Sequence, residues 1–597
     1  MFLENNQIGD HQEAAYLYDD PLEIINVTNP SDLKNAFAQI QTALDQGFHV
    51  AGYISYEAGY WFENKLKSLM PEKLGFPLLY MGIFKSRDIL NSHDADDYWR
   101  EYDDATAYSI DNINLSLNRD QYEIAFNKIQ DYLKSGDTYQ VNFTQKASFD
   151  FKGSAKAFYS ALRKAQQVEY AAYIQSDEHY FLSLSPELFI KKTGQHLKVK
   201  PMKGTSRRGR NNKEDDELEQ ALYNSVKEKA ENLMIVDLLR NDLSKMAEKA
   251  SVHVSKLFEV EKYRTLLTMT STIDATLNDK YSALDVLASV FPCGSVTGAP
   301  KIRAMQIIEQ LEKTERGIYT GAIGYFTPGG DMCFSVPIRT LTIDKSGKGE
   351  LGIGGAIVAD SNCISEYDEC LLKAQFVTKS FVNFDLIETI LYSKAEGYHF
   401  LEMHLDRMEA SAQYFNHAFN SQQIIKELHH HQKFITSDDG QTFKVRLLLS
   451  PRGNISITSN ELEQKPDQKR PSVVLSKEKV DSQDPMLFHK TTDREFFNRN
   501  SQLYSDKTAC FDVIFLNERD ELTQGSYTNI VIKKDGTYYT PAQHCGLLPG
   551  IYRQTLLESE TLNCVEKVLY MEDLKSADHI YLCNAIRGLV DVKFVNQ

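Results

Sequence analysis

The chain lacks the marks of several whole classes of protein. No run of about 18 apolar residues occurs in its 597 positions, so no helical membrane span is expected. The start, Met1-Phe2-Leu3-Glu4-Asn5-Asn6, has neither a basic stretch nor an apolar core, so no secretory leader is expected. The eight cysteines are scattered and none forms a Cys-x-x-Cys pair. That argues against a zinc ribbon or a thioredoxin motif and fits reduced thiols in a cytoplasmic protein. Basic residues are outnumbered, 66 Lys and Arg against 83 Asp and Glu, for a net charge of -17. This balance argues against general nucleic-acid binding, which needs a basic surface. It also requires that an anionic substrate meet a locally positive pocket. No repeat relates the two halves.

What is present is an ordinary globular composition, 42% hydrophobic and 25% charged. The length is too great for one core and suggests two to four domains. Helical periodicity predicts helices over Asp120–Leu133, Ala155–Ala165, Tyr281–Val290 and from His404 to about Phe415. A single long charged helix is expected over Asn212–Lys249. Strands are predicted at Val50–Glu57, Tyr180–Ile190, Lys444–Leu449, Val513–Leu516 and Asn529–Ile532. The acidic segment Asn91–Asp111 reads as a loop and Gln464–Pro471 as a linker. The pattern restarts near Phe384, so a boundary is placed near residue 380, giving domains 1–380 and 384–597.

Three local features invite chemistry. Lys200-Pro201-Met202-Lys203-Gly204-Thr205-Ser206-Arg207-Arg208 sets a lysine between a stiffening proline and a glycine that permits a sharp turn. Two Glu-x-x-Glu pairs, Glu228/Glu231 and Glu366/Glu369, each share one helix face. Should the two faces meet, they make a site of hard oxygens suited to Mg²⁺. The small-residue loop Pro292–Lys301 opens a helix at about Ile302, where backbone N–H groups suit an anion.

Together with Gln140-Val141-Asn142, Ser185-Pro186-Glu187, Ala230–Asp242, Ile338-Arg339-Thr340 and Gly354–Glu369, these motifs resemble the chorismate-utilising enzymes over most of residues 115–378. The resemblance implies a large α/β sandwich around a buried site. The lysine before Gly204 is similar to that of the aminodeoxychorismate synthase component I branch, where anthranilate synthases usually carry alanine. It implies that Lys203 attacks chorismate and that Glu187 is the general acid. It implies Glu231 and Glu369 as Mg²⁺ ligands supported by Glu228 and Glu366. Arg339 would grip the enolpyruvyl carboxylate, and Tyr319, the Gly355 backbone and Lys373 would complete the pocket. Thr268 stands where the family often has histidine. Val168-Glu169-Tyr170-Ala171-Ala172 replaces the Pro-rich segment with which some relatives hold tryptophan. No Gly-x-Cys-x-Gly nucleophile elbow is present, so ammonia would come from solution or from a separate glutamine amidotransferase subunit.

Residues 384–597 resemble the fold-type IV pyridoxal phosphate enzymes, the class IV aminotransferases and aminodeoxychorismate lyase. The resemblance rests on Glu388-Thr389, His404-Leu405-Asp406-Arg407, Lys490, Thr523–Ile530 and Gly546–Arg553. It implies Lys490 as the Schiff-base lysine, Arg407 with the Gly550 and Ile551 backbone at the cofactor phosphate, and a homodimer through this domain. Gln524 stands where the family usually has a glutamate paired to the pyridine nitrogen. The two halves together imply an α/β (α+β) fusion that turns chorismate into 4-aminobenzoate. A synthase fused to an amino-acid aminotransferase, or an anthranilate synthase component I in the first half, remain as alternatives.

Overall fold

The computed structural model describes residues 1–7, 11–104, 106–264, 266–374, 384–435, 441–462, 470–508 and 510–595. The chain divides into two compact units, one of Met1–Arg207 with Glu219–Phe381 and the other of Arg208–Leu218 with Val382–Gln597. The boundary expected near 380, and most of the linker expected over Gln464–Pro471, lie outside the described residues. No helix among the described residues is long and apolar enough to cross a membrane.

The first unit is built on two ten-stranded antiparallel sheets. One runs in the order Gly298–Ala299, Gln140–Gly153, Lys348–Ile357, Thr340–Asp344, His179–Ser185, Tyr170–Gln175, then the N-terminal strands. The other starts at Met202–Arg207 and passes through Leu266–Thr276, His196–Lys200, Leu188–Thr193 and Met332–Ser335 to His49–Ile54. Phe181 and Ile174 of the first sheet pack with Ala51, Tyr53 and Ile323 of the second. Helices cover both outer faces. Arg119–Lys134, Ala155–Ala165 and Lys301–Leu311 bury Phe126, Phe158 and Ile308 on one sheet. Leu33–Asp45, Val226–Ser244 and Ala283–Val290 bury Ile40, Leu239 and Leu287 on the other. The expected α/β sandwich is thus a four-layer stack.

Two expectations are corrected. The segment read as a loop carries a helix, Ser92–Arg100, whose cap Asn91 accepts hydrogen bonds from the N–H groups of His93 and Asp94. Its Trp99 is fully buried, 5.1 Å from Phe2 and 4.7 Å from Tyr159, ring to ring. The single helix read over Asn212–Lys249 is two, Asn212–Asn224 and Val226–Ser244. Ser225 adopts an extended backbone, and its hydroxyl accepts from the Glu228 N–H, ending one helix by capping the next.

The second unit holds a four-stranded sheet, Gly397–Tyr398, Leu386–Ser393, Thr442–Leu449 and Ile455–Glu461. Its eight-stranded sheet is mixed, with Ser472–Leu475 parallel to both Asp512–Leu516 and Gly588–Phe594. The helix Leu401–Phe415 packs Leu405, Met408 and Ala412 onto the smaller sheet.

Trp99 ties the helix found here to the N-terminal strand. Replacing it with alanine is expected to cost about 3–5 kcal/mol of first-unit stability. Urea unfolding followed through that unit's transition checks this; a loss below about 1 kcal/mol would show that the helix is not part of the core.

Candidate functional site

The sequence suggests a sharp turn at Lys203; the structure makes it a bulged edge strand. Met202 pairs with Thr270 and Thr205 with Thr268, so three steps on one strand face two on the other. Gly204 absorbs the extra residue at φ +90°, a left-handed conformation that favours glycine. A Cβ there would lie 2.9 Å from Glu228 Oε2, so the bulge rests directly against the helix of the first acidic pair. Thr268 donates its hydroxyl to the Gly204 carbonyl at 3.1 Å and pins the bulge from the neighbouring strand.

Lys203 is part-buried. Burial lowers its pKa, opposed by the fields of Glu187 and Glu231 and assisted by Lys373. Glu187 sits just past Ser185-Pro186, where the strand His179–Ser185 ends. It is almost wholly buried, and burial pushes its carboxyl up to about 7. Ser295 Oγ donates to Glu187 Oε1 at 2.5 Å, and Cys293 Sγ lies 3.2 Å from that hydroxyl. Both come from the small-residue loop. Gly294 lets Leu238 pack close in it, because a Cβ would meet the Leu238 Cδ2 at 2.5 Å. Ser295 lies inside the quoted loop, but nothing in its spacing shows that it reaches a carboxyl 108 residues away.

The two Glu-x-x-Glu pairs lie on separate helices, Val226–Ser244 and Cys363–Ala374, and sense one another. Burial first, then neighbouring carboxylates, raises Glu228 and Glu231. Burial likewise raises Glu366, with Glu369 adding to it, while a 2.8 Å hydrogen bond from Ser361 opposes the rise. Lys373 Nζ bonds Glu369 at 2.7 Å and the Gly354 carbonyl at 2.7 Å. Gly355 borders Glu366, whose Oε2 would lie 3.2 Å from a Cβ there. Among the described residues, no three His, Cys, Asp or Glu side chains close into a ready-made metal site. The donors are hard oxygens whose mutual repulsion a divalent cation would relieve, so the residue set fits one.

Arg339 is part-buried at φ +51°, an uncommon conformation for a bulky residue, and its Nη1 donates to Gln166 Oε1 at 2.9 Å. Burial lowers its pKa. The Tyr319 ring stands on Gly352, where a Cβ would fall 2.1 Å from its Cγ. A cavity of about 660 Å³, lined by Glu57, Lys146, Glu312, Arg316 and Glu350 among others, touches none of the candidate site residues named from sequence.

In the second unit, the Lys490 carbonyl accepts from the Ile387 N–H at 3.0 Å, fixing the lysine beside the strand that carries Glu388. Burial brings Lys490 down to about 8; Glu388 opposes this, and Arg407, Arg494 and Arg446 assist it. Burial alone would raise Glu388. Arg407 and His404 overcome it and hold the carboxylate well below its usual range. Arg407 forks onto Glu388 at 2.9 and 2.6 Å and reaches the Pro549 carbonyl at 3.1 Å. Gln524 Oε1 accepts from the Leu548 N–H at 3.0 Å, and Asn529 Nδ2 donates to the Leu548 carbonyl at 2.9 Å. Gly550, the cap of the helix Ile551–Leu557, admits Asn529 only because it lacks a Cβ. Lys490, Arg407, Gln524 and Gly550 are thus joined through Glu388 and Leu548-Pro549. Two buried polar atoms there, His404 Nε2 and Ser526 Oγ, have no hydrogen-bond partner among the described residues. Such orphans and a depressed lysine fit a bound polar cofactor.

Residues 3–379 match the family model of chorismate binding enzymes, and residues 385–595 match that of amino-transferase class IV. Aminodeoxychorismate synthase component 1 of Escherichia coli (strain K12) is 33% identical over 397 residues, which cover 63% of this chain and 86% of that protein. Anthranilate synthase component 1 of Saccharolobus solfataricus is 36% identical over 362 residues, covering 59% and 84%. The crystal structure of anthranilate synthase component I from Streptococcus pneumoniae TIGR4 has the same fold, with a TM-score of 0.53 at 24% identity over 61% of this chain and 92% of that one. With the first model spanning more than half of the sequence, the chain belongs to the chorismate-binding enzymes and carries a class IV aminotransferase domain behind the chorismate-binding one.

Proposed function

We propose that this chain makes 4-aminobenzoate, a folate precursor, in two steps. The first unit aminates chorismate to 4-amino-4-deoxychorismate, and the second eliminates pyruvate from that product. The observation that carries this reading is the pairing of Lys203, held below its ordinary range by burial, with Glu187, pushed up to about 7. An amine must be neutral to attack and a general acid must hold its proton. The neutral Lys203 Nζ bonds to ring C2, the ring double bond shifts, and the C4–O bond breaks. Glu187 gives its proton to the departing hydroxyl, which leaves as water. Ammonia then bonds to C4 while the bond from C2 to Lys203 breaks, and the proton shed by the ammonia nitrogen restores Glu187. The ammonia comes from solution or from a separate glutamine amidotransferase subunit.

In this reading Arg339 grips the enolpyruvyl carboxylate, and Tyr319, Thr268, Lys373 and the Gly355 backbone shape the rest of the pocket. Glu231 and Glu369 would hold Mg²⁺ with Glu228 and Glu366 behind them; the metal would bind the ring carboxylate and offset the acidic cluster. In the second unit Arg407, Gly550 and Ile551 would take the phosphate of pyridoxal phosphate and Gln524 its pyridine nitrogen. That cofactor supplies the electron sink. Lys490, about 8, holds and moves the substrate C4 proton near neutrality.

Chorismate, Mg²⁺, ammonium and pyridoxal phosphate are expected to give 4-aminobenzoate and pyruvate in equal amounts. Anthranilate as the product would overturn the assignment of Lys203. Lys203→Ala should lower chorismate amination by at least about 10³-fold. It should leave elimination from supplied 4-amino-4-deoxychorismate intact; loss of both activities would refute the division of labour.

The pH profile follows from the same two groups. Amination, corrected for the ammonia fraction, should rise as Lys203 loses its proton, at a pH that burial lowers from the ordinary lysine range. It should fall again as Glu187 deprotonates near 7. Glu187→Gln should lower kcat by about 10²–10⁴-fold, and an unaltered alkaline limb in that variant would assign the limb to another group.

A further inference from the structure

Eleven residues that the sequence places inside the first domain belong to the second unit. Arg208–Leu218 begins five positions after Lys203, yet it makes hydrogen bonds to residues within 410–544. Arg208 forks onto Asp215 at 2.8 and 2.8 Å, both side chains almost fully buried. The Gly209 N–H also donates to Asp215, at 2.9 Å, so the carboxylate closes the segment into a compact loop. The guanidinium then donates to the Tyr414 carbonyl at 3.0 Å and lies over the Tyr414 ring, 4.5 Å from its centroid. The Tyr414 hydroxyl returns a hydrogen bond of 2.6 Å to the Gly209 carbonyl.

On its far face Tyr414 stacks against His489, with centroids 4.4 Å apart and planes 29° from parallel. His489 Nδ1 lies 3.0 Å from Ser411 Oγ, on the same helix as Tyr414. A second arginine of the segment, Arg210, stands 5.3 Å over Phe488 and donates to the carbonyls of Ser482 and His544. Asn212 donates to the Ala410 carbonyl at 2.8 Å. The segment therefore bears on Phe488 and His489, the two residues immediately before Lys490. On the other side of the lysine, the Ile387 N–H and the bridge between Leu386 and Thr491 hold the backbone. Contacts therefore hold the Phe488-His489-Lys490 stretch on both sides of the lysine in sequence.

We propose that Arg208–Leu218 is a positioning element of the lysine site in the second unit, with the Arg208–Asp215 pair and Tyr414 fixing the His489-Lys490 backbone. The inference rests on the reading of Lys490 as the cofactor lysine. It adds residues that no motif of the class IV domain contains. The buried pair suits this work for a physical reason. A bidentate guanidinium–carboxylate pair has one geometry, whereas an apolar pair of similar volume fills the space and fixes no orientation. The charged groups facing Lys490 itself are Glu388, Arg407, Arg494 and Arg446. Arg208 and Asp215 act one residue away, through the ring of Tyr414.

The test uses the full chain and pyridoxal phosphate as the probe. The double variant R208M/D215L keeps the volume and removes the fork without stranding a buried charge. Tyr414→Phe keeps the ring and the charged pair and removes only the hydrogen bond to Gly209. In each variant the cofactor is titrated by its visible absorbance, and the pH midpoint of that band is recorded. The expected result for the double variant is an apparent Kd raised about tenfold, with the midpoint moved by about half a unit or more. Tyr414→Phe should shift both in the same direction by less. Chorismate consumption by the first unit in the same samples reports on folding. Unchanged affinity and midpoint in the double variant would overturn the inference and leave the segment as packing. If the double variant also loses chorismate consumption, Tyr414→Phe decides, and an unchanged midpoint and affinity there overturns it. A wild-type chain with no visible band at any pH would instead remove the cofactor reading on which the inference stands.

Discussion

The proposed chemistry of the first unit depends on setting a part-buried lysine beside a buried carboxylic acid. Burial penalises the charged form of each, so the same lack of water drives Lys203 down and Glu187 up. Each group also stabilises the charge of the other, and that attraction limits both shifts. The balance explains why Ser295 matters. A hydroxyl that donates to Glu187 favours the carboxylate and brings its pKa back toward neutrality. A carboxyl pushed far above 7 would be a poor proton donor, and one left near its ordinary value would be ionised before the reaction began. The Gly204 bulge and the Thr268 hydroxyl keep the lysine in this setting, since a regular strand would alternate it away from the acidic helix.

The second unit reaches the same end by different means. Lys490 is also buried, but its surroundings are richer in arginine, and a single carboxylate, Glu388, is shared between Arg407 and His404. Gln524 fits this picture of an electropositive pocket. Its Oε1 is already bound by the Leu548 N–H, which leaves the amide's donor end for any further partner. A glutamate at the same place would offer a negative charge and an acceptor. In the proposed cofactor site, glutamine would donate to a facing nitrogen where a glutamate would retain a proton on it.

How much of this was legible in the sequence can be judged residue by residue. The Glu-x-x-Glu pairs, the Lys203-Gly204 step and the Gly-rich loop are local patterns, and each lies on the kind of element its pattern suggests. Their convergence is not local. Ser295 on Glu187, and Thr268 on Gly204, are long-range pairings whose partners carry no mutual mark in the chain. The helix at Ser92–Arg100 was hidden by its acidic composition, although Asn91 as a cap and Ala95 with Trp99 one turn on were visible signals. Ser225-x-x-Glu228 likewise signals a helix start inside what reads as one charged run.

The division into domains is where a linear reading is least able to succeed. A boundary is inferred where pattern and composition change, which assumes that each unit is a continuous stretch. Arg208–Leu218 breaks that assumption, because its affiliation is decided by a buried ion pair and by rings that lie some 200 residues away in sequence. Read as sequence, Arg207-Arg208 extends the basic character of the lysine turn. In three dimensions Arg208 is almost fully buried and forks onto Asp215 within the second unit. In the proposed reaction the positive field that an anionic substrate requires would draw on Arg339 and Lys373, because Lys203 is neutral when it attacks, in a chain whose net charge is -17. The scarcity of local positive charge makes each of them harder to replace than composition alone would suggest.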